Sequence, residues 1–561
     1  MAGPDFSLPG ARLAPALVAA AGRALSEEWR ASEPHRWAAG RPRPDGFGVQ
    51  PRDFRPSDPE IGRRILNGAF VLAGQTLAVG LRGDPWDRAS PSRPFAVALH
   101  RFDWLPDLIA EGPEGASEAL RLTLDWRRVF GRWNAFSWAP EVMARRVFNL
   151  ACAGATLAAR ASEAETAGIA ALLARQARDL LGAGGIETAA ERAACAAVAG
   201  AALRGPPGRK LLDKALAALS RALPVTVLAD GGHATRRPDL ALSLLFDLQT
   251  LDEAMIQRGL AAPDAVHRAI DRLAGAVRFF TQADGALAAF QGGEPGDAVT
   301  VAAARAQDEA GDRPAPLELG GYHRLDARDL QLVADAGTPA PGPWSTAACA
   351  QPLTIAVIAG GRRLIDAGWG RSIAGGSTIQ VGERPFGRVL DGFAGRALGP
   401  RLVDGRPVVE ALRHEAPGAM WLDLAHRGWL ARYGLLHQRR LYVDIHENEL
   451  RGEDRLTPTA RVQGPDGRHF VPYALRFQLH PGVQALVSQD RRSVLLRPEG
   501  DPGGWVLRND SLDIEVEGAA RPGRPGLQLV LHGQRRADSG ARVRWKLSHA
   551  AARVDAGRVG A

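Results

Sequence analysis

His233 closes a short turn, Ala229-Asp-Gly-Gly-His233, and Arg236, Arg237, Pro238 and Asp239 follow at once. The imidazole is the side chain that titrates nearest neutral pH, and guanidiniums hold carboxylates in bidentate fashion. A proton-transfer group beside carboxylate-binding groups suits an acidic substrate. The plain alternative is a solvated turn with an incidental histidine. Tyr322-His323-Arg324 offers a second set of the same kind, with Tyr322 and His323 as proton carriers and Arg324 as the holder. Its alternative is a linker strand with an aromatic plug. Asn134, next to Trp133, could meet a sugar hydroxyl or carboxylate, and Arg145 lies along the same predicted helix region. Glu294, in the glycine-rich run Gln291 to Asp297, could orient an arginine or His233. For these residues packing or surface roles are the competing reading.

These residues need elements to hold them. Asp230, Gly231 and Gly232 extend a helix poorly, so the His233 turn joins two helices, the second starting at Pro238. From Pro140 onward, runs over 140–160, 164–182, 187–203, 208–222, 238–259 and 263–280 carry apolar residues at three- and four-residue spacing. Helices of similar length with short connections imply antiparallel hairpins, arranged as a bundle, a solenoid or a closed toroid. Before them, residues 64–82 alternate as one or two strands, and Arg41 to Pro59 is an irregular polar arm after a first helix ending near Arg30. Trp86, Trp104, Trp126, Trp133 and Trp138 crowd one passage, either lining a sugar-stacking cleft or filling gaps between helices.

After about residue 310 the period changes from helical to alternating. Short runs such as LTIAVIAG, RRLYVDIHE, YALRFQLH and RVRWKLS are separated by Gly, Pro, Asn and Asp, the pattern of an antiparallel β-sandwich. The expected organisation is an N-terminal helix and arm over 1–60, an all-α domain over 61–310 and an all-β domain over 311–561, with the boundary near 300–320.

The chain has 561 residues, 45% hydrophobic and 24% charged, which fits a globular protein of more than one domain. Its net charge of +8 is scattered rather than blocked, and no nucleic-acid motif accompanies it, so nucleic acid is not an expected partner. Only Lys210, Lys214 and Lys546 among 70 basic residues are lysines, and arginine favours carboxylate or sulfate, hence an acidic polysaccharide. Cys152, Cys195 and Cys349 form neither a metal pair nor a disulfide framework; Cys349 lies among small residues as a buried thiol. His426, His437, His446, His469 and His480 are spread over predicted strands without tight ligand spacing, so no metal and no cofactor is expected. No apolar run reaches membrane-spanning length and no export signal is visible at the N-terminus.

Several stretches, in order, resemble bacterial heparinase II/III-like proteins: Trp133 to Arg146 (WNAFSWAPEVMARR), Leu228 to His233, the Gln291–Asp297 loop, Gly361 to Gly368 and Ser377-Thr-Ile-Gln-Val. His426 to Trp429, His437 to Arg440 and Phe477 to Gly482 continue the series. The resemblance implies an N-terminal (α/α) toroid followed by a C-terminal antiparallel β-sandwich. It also implies a lyase that cuts a uronic-acid-containing glycan, such as a glycosaminoglycan, by β-elimination in the cell envelope or periplasm. That chemistry needs a group to neutralise the C5 carboxylate, a base for the C5 proton and an acid for the leaving oxygen. The family typically uses Asn for the first and Tyr and His for the others.

The sequence departs from that set. None of its four tyrosines, Tyr322, Tyr433, Tyr442 and Tyr473, falls in the helical half. The stretch where an Asn-His pair is expected reads Gly184-Gly-Ile-Glu187, and a family histidine position reads Ala348-Cys349-Ala350. The leading expectation is a lyase with a non-standard set: His233, Tyr322 and His323 catalytic, and Trp133, Asn134, Arg145, Arg236, Arg237, Glu294 and Arg324 holding an anionic polysaccharide. The alternative is a catalytically degenerate glycan-binding or envelope-assembly protein, with a cytoplasmic location as the variant on the export question. A hydrolase would need paired carboxylates, for which only Glu294 and Glu187 offer themselves.

Overall fold

The computed structural model describes residues 10–308, 311, 313–459, 470–501, 503–519, 526–536 and 538–550, so His469 lies outside the described residues. A first helix, Gly10–Ala31, packs on the short helix Gly392–Leu398 of the second half. There the Arg23 guanidinium donates to the Arg396 and Ala397 carbonyls at 2.7 and 2.6 Å, satisfying acceptors that a helix end leaves free. The irregular arm then runs across the helical domain. The Phe47 ring fills a notch at Gly154, where a Cβ would stand 2.1 Å from the ring. Further along, Arg55 reaches Asp247 at 2.7 Å.

Residues 69–78 form the expected strands, Ala69–Leu72 and Gln75–Ala78, paired as a hairpin. The helices Pro140–Ala158, Glu163–Leu181, Ala189–Ala202, Gly205–Thr226, Pro238–Gln257 and Asp264–Phe280 follow as antiparallel neighbours of the toroid. Their sequence signals work locally. Ser162 and Glu165 form a reciprocal capping box, and Pro140 and Pro238 stand in first turns, where a missing N–H costs nothing. The helix Ala189–Ala202 is buried on nearly every side after Ala190, because its alanines and Gly200 let neighbours approach to backbone distance.

The tryptophan-rich passage is mostly core. Trp86, Trp104, Trp126 and Trp138 are buried, and each indole N–H has an internal acceptor, for example His100 Nδ1 for Trp126 at 3.0 Å. The sugar-stacking reading therefore fails for four of the five rings, and only Trp133 is partly exposed. The Arg146 guanidinium lies 4.2 Å from the Trp126 ring and donates to the His100 and Ser137 carbonyls, so this layer is cemented by cation–π and hydrogen-bond contacts.

The second half is an antiparallel β-sandwich. An eight-stranded sheet runs Gln484–Val487, Ser493–Arg497, Trp505–Asn509, Ala541–His549, Glu449–Pro458, Leu435–Asp444, Ala419–His426, Val409–Ala416. A nine-stranded sheet carries Tyr322–Asp326, Leu330–Asp335, Ile355–Ala359, Arg362–Asp366 and Phe470–Leu479 among its strands. Alternation sends Leu441, Val443 and Leu450 inward, but also His437, Arg439 and Asp454.

These buried polar groups close on one another. The Gly428 N–H donates to His426 Nδ1 at 3.1 Å, which puts the His426 proton on Nε2, facing His437 Nδ1 at 3.0 Å. His437 Nε2–H in turn meets Asp454 Oδ1 at 2.9 Å, and Arg439 and Trp545 also donate to that carboxylate, at 2.7 and 3.1 Å. Asp454 is held well below the ordinary carboxylate range; burial opposes this, but Arg439 and His437 outweigh it. His480 pairs with Asp366, and His446 is exposed at a turn, so neither joins His426 in a ligand set.

Burial lowers the proton affinity of His426 and His437, and of His100, whose pKa falls to about 4. All three are neutral in the fold, whereas an unfolded histidine titrates near ~6.5. Below that pH the unfolded chain binds more protons, so the stability these groups carry is present above ~6.5 and is lost as pH falls toward 4. His100 alone accounts for about 3 kcal/mol over that window. Urea midpoints measured across the window should fall on acidification. A flat profile would mean that these imidazoles do not gain protons on unfolding.

Candidate interdomain site

The His233 turn is built by its glycines. Gly231 has φ of +97°, and a Cβ there would sit 2.4 Å from the Arg272 carbonyl oxygen. Asp230 accepts from Gly232 N–H at 3.0 Å and from Gly320 N–H at 2.7 Å, which docks the turn on the start of the β-domain.

His233 is enclosed. Its Nδ1 accepts from the Thr235 N–H at 3.2 Å and lies 2.7 Å from the Thr235 hydroxyl. The ring proton is thus on Nε2, which faces Glu191 Oε1 at 3.2 Å, while the Trp344 ring stands edge-on with centroids 6.4 Å apart. The His233 side chain is fully buried and Glu191 is 18% exposed, so solvent reaches this pair only from the carboxylate end. Glu191, in the first turn of Ala189–Ala202, escaped the sequence reading. Only its burial against His233 marks it, and no local motif does.

Arg236 clasps the two halves together. It adopts φ of +60°, and its guanidinium donates to Asp335 Oδ1 at 2.7 Å and to the Gly320 and Gly337 carbonyls at 3.1 and 3.2 Å. It lies 4.4 Å from the Tyr322 ring centroid, and the Tyr322 hydroxyl donates back to the Arg236 carbonyl at 2.8 Å. The other Asp335 oxygen accepts from Gln291 Nε2 at 2.7 Å, and Gln291 Oε1 accepts from the Cys349 N–H at 3.0 Å. The expectation that Arg236 stands ready for a substrate carboxylate is corrected: a carboxylate of this chain already fills its fork. Tyr322 is likewise buried, and burial pushes its phenol well above the ordinary range.

The other expected residues scatter. His323 alternates with Tyr322 along one strand and so projects to the opposite face; it is buried, and burial lowers its proton affinity. Arg324 caps the helix Asp264–Phe280 through the Phe279 and Thr281 carbonyls, both at 2.8 Å. Arg237 forms a fork on Asp239 but keeps part of its surface in solvent. Arg145 is tied to Asp247 at 2.7 Å, on the same oxygen that holds Arg55, and lies 4.2 Å from the Phe148 ring. Asn134 is engaged in its own turn, accepting from the Ser137 N–H at 2.8 Å. Glu294 is exposed, while neighbouring Gly293 and Gly292 come close to Asp239 and Ala347.

The loops carrying His233, Gln291 and Trp344 thus converge at the interface, and the turn Ile186–Thr188 touches Gly342–Ser345 there. Where the resemblance implies a histidine, Cys349 is buried with its thiol pushed up to about 12, which removes the thiolate needed for reaction at neutral pH.

The heparinase II/III-like C-terminal family matches residues 310–546. FtsZ-localized protein C of Caulobacter vibrioides (strain NA1000 / CB15N) is 49% identical over 563 residues, covering 97% of each chain. The crystal structure of heparinase III superposes with a TM-score of 0.68 at 13% identity, over 94% of this chain and 91% of that one. Heparan sulfate lyase HepC from Pedobacter heparinus gives 0.54 at 15% identity, over 92% and 87%. No helix among the described residues is long and apolar enough to cross a membrane. With the toroid, the sandwich and their order in place, the chain belongs to the heparinase II/III-like family.

Proposed function

We propose that this chain is a non-cleaving heparinase II/III-like protein that works in envelope assembly at the division site, in association with FtsZ, and that any acidic glycan it meets is bound rather than cut. The observation that carries the reading is the closure of the interdomain groups. Tyr322 is bonded to Arg236 and Arg236 to Asp335, and His233 is sealed behind Glu191. β-Elimination needs a base and an acid within reach of the sugar, and a free group to neutralise its carboxylate. The name of the Caulobacter relative supports the FtsZ association.

Cleavage remains a second reading on one observation, the oriented His233–Glu191 pair at the interface. One experiment separates the two. The purified chain is incubated with uronate polysaccharides while the ultraviolet absorbance of an unsaturated uronate product is followed, and is separately sedimented with FtsZ polymers. The expected result is no absorbance rise and co-sedimentation with FtsZ. An absorbance rise that disappears in both His233→Ala and Glu191→Gln would establish a lyase and overturn the proposal.

A further inference from the structure

The eight-stranded sheet turns one face to the sandwich core and the other away from the interdomain clasp, which the nine-stranded sheet provides. On that outer face the strand register sets up an unusual row. His414 is opposite Trp421, Trp421 opposite Tyr442, Tyr442 opposite Arg451, Arg451 opposite Lys546, and Lys546 opposite Arg508. Six directly opposed residues on six adjacent strands make a straight line about 24 Å long at the usual strand spacing. One half is aromatic: His414 and Trp421 stack with centroids 5.0 Å apart, Trp421 and Tyr442 at 6.0 Å. The other half is three cations side by side.

Like charges directly opposite one another destabilise a sheet. The neighbouring row avoids this cost, alternating Asp423, Arg440, Glu453 and Arg544, with Arg440 2.5 Å from Asp423 and Arg544 3.0 Å from Glu453. In the cationic row Glu449 serves both Arg451 and Lys546, Asp444 also stands 3.6 Å from Arg451, and Arg508 has no carboxylate among the described ion pairs. Between the two rows lies a trough of about 390 Å³, lined by five basic side chains together with Tyr442 and the carboxylates of Glu453 and Asp510.

We propose that this trough and the row beside it bind a strand of acidic polysaccharide, with Arg451, Lys546 and Arg508 holding its carboxylates or sulfates and the aromatic half meeting the sugar rings. The inference does not depend on whether the interdomain site cleaves. A peptide that adds to a sheet as a further strand gains its affinity from main-chain pairing at a free edge. Here the strands Glu449–Pro458 and Ala541–His549 are paired on both sides, so the face offers side chains alone. A polyanionic sugar chain carries its charges and hydroxyls along its whole length and needs no such edge.

The test is affinity electrophoresis of the full chain in gels containing alginate, with dextran and poly-glutamate as controls. The wild-type chain should be retarded by alginate, less so at higher salt, and by neither control. Arg508→Thr/Lys546→Thr should weaken alginate binding at least about tenfold, while Arg209→Thr, in an exposed ion pair with Asp213 on the helical half, should change it little. Removing like charges from the row should leave the thermal midpoint unchanged or raised, so loss of binding is not loss of fold. Trp421→Ala should weaken binding without altering its salt dependence. No retardation of the wild-type chain, equal retardation by poly-glutamate, or an unchanged Arg508→Thr/Lys546→Thr variant would each overturn the proposal.

Discussion

Arg236→Ala is expected to destabilise the chain by about 3–5 kcal/mol, because it leaves the buried Asp335 carboxylate without its cation. Arg236 is 8% exposed and Asp335 1%, so solvent cannot take over. The substitution also strips donors from the Gly320 and Gly337 carbonyls and removes the cation from the Tyr322 ring. Since these contacts join the helical domain to the sandwich, the calorimetric transition should also broaden or split as the halves uncouple. Arg236→Met/Asp335→Leu should recover much of the loss, for it leaves no unpaired charge. A single sharp transition within about 1 kcal/mol of the unaltered chain would show that the clasp is not what couples the domains.

A comparable loss, about 3–5 kcal/mol, is expected of Asp454→Ala inside the sandwich. That carboxylate receives Arg439, His437 and Trp545, and both Arg439 and Asp454 are buried to 1% exposure. Without it a guanidinium is stranded in the core, and His437 loses the acceptor that fixes its proton position. Asp454→Asn keeps an acceptor oxygen and should fall between the two. Urea unfolding, or soluble yield if the variant does not fold, measures the effect. A wild-type midpoint for Asp454→Ala would mean that the network is not needed to hold the sheets together.

The two halves differ in how far their chemistry could be read from the chain. The helices from Pro140 to Phe280 and the strands after Glu318 stand close to where periodicity places them, because burial imposes a period of 3.6 or 2 on neighbours along the sequence. His233 does end a turn between two helices, and the glycines before it are there for a backbone reason. The roles of those same residues were not legible. Trp86, Trp104, Trp126 and Trp138 have the composition of a sugar platform and the burial of a core. Arg145 and Arg236 look like substrate holders until Asp247 and Asp335 are seen in their forks.

By itself, then, the sequence determined that a helical half precedes a half of antiparallel strands, and it determined the turn that carries His233. These follow from local backbone preferences, hydrophobic period and residue identity, all of which are properties of consecutive positions. Only the tertiary structure decided which charges neutralise one another. Arg236 and Asp335 are 99 residues apart, His233 and Glu191 are 42 apart, and the row from His414 to Arg508 is assembled from six strands. Electrostatic pairing depends on distance through space and on the exclusion of water, and neither is written in the spacing of residues along the chain.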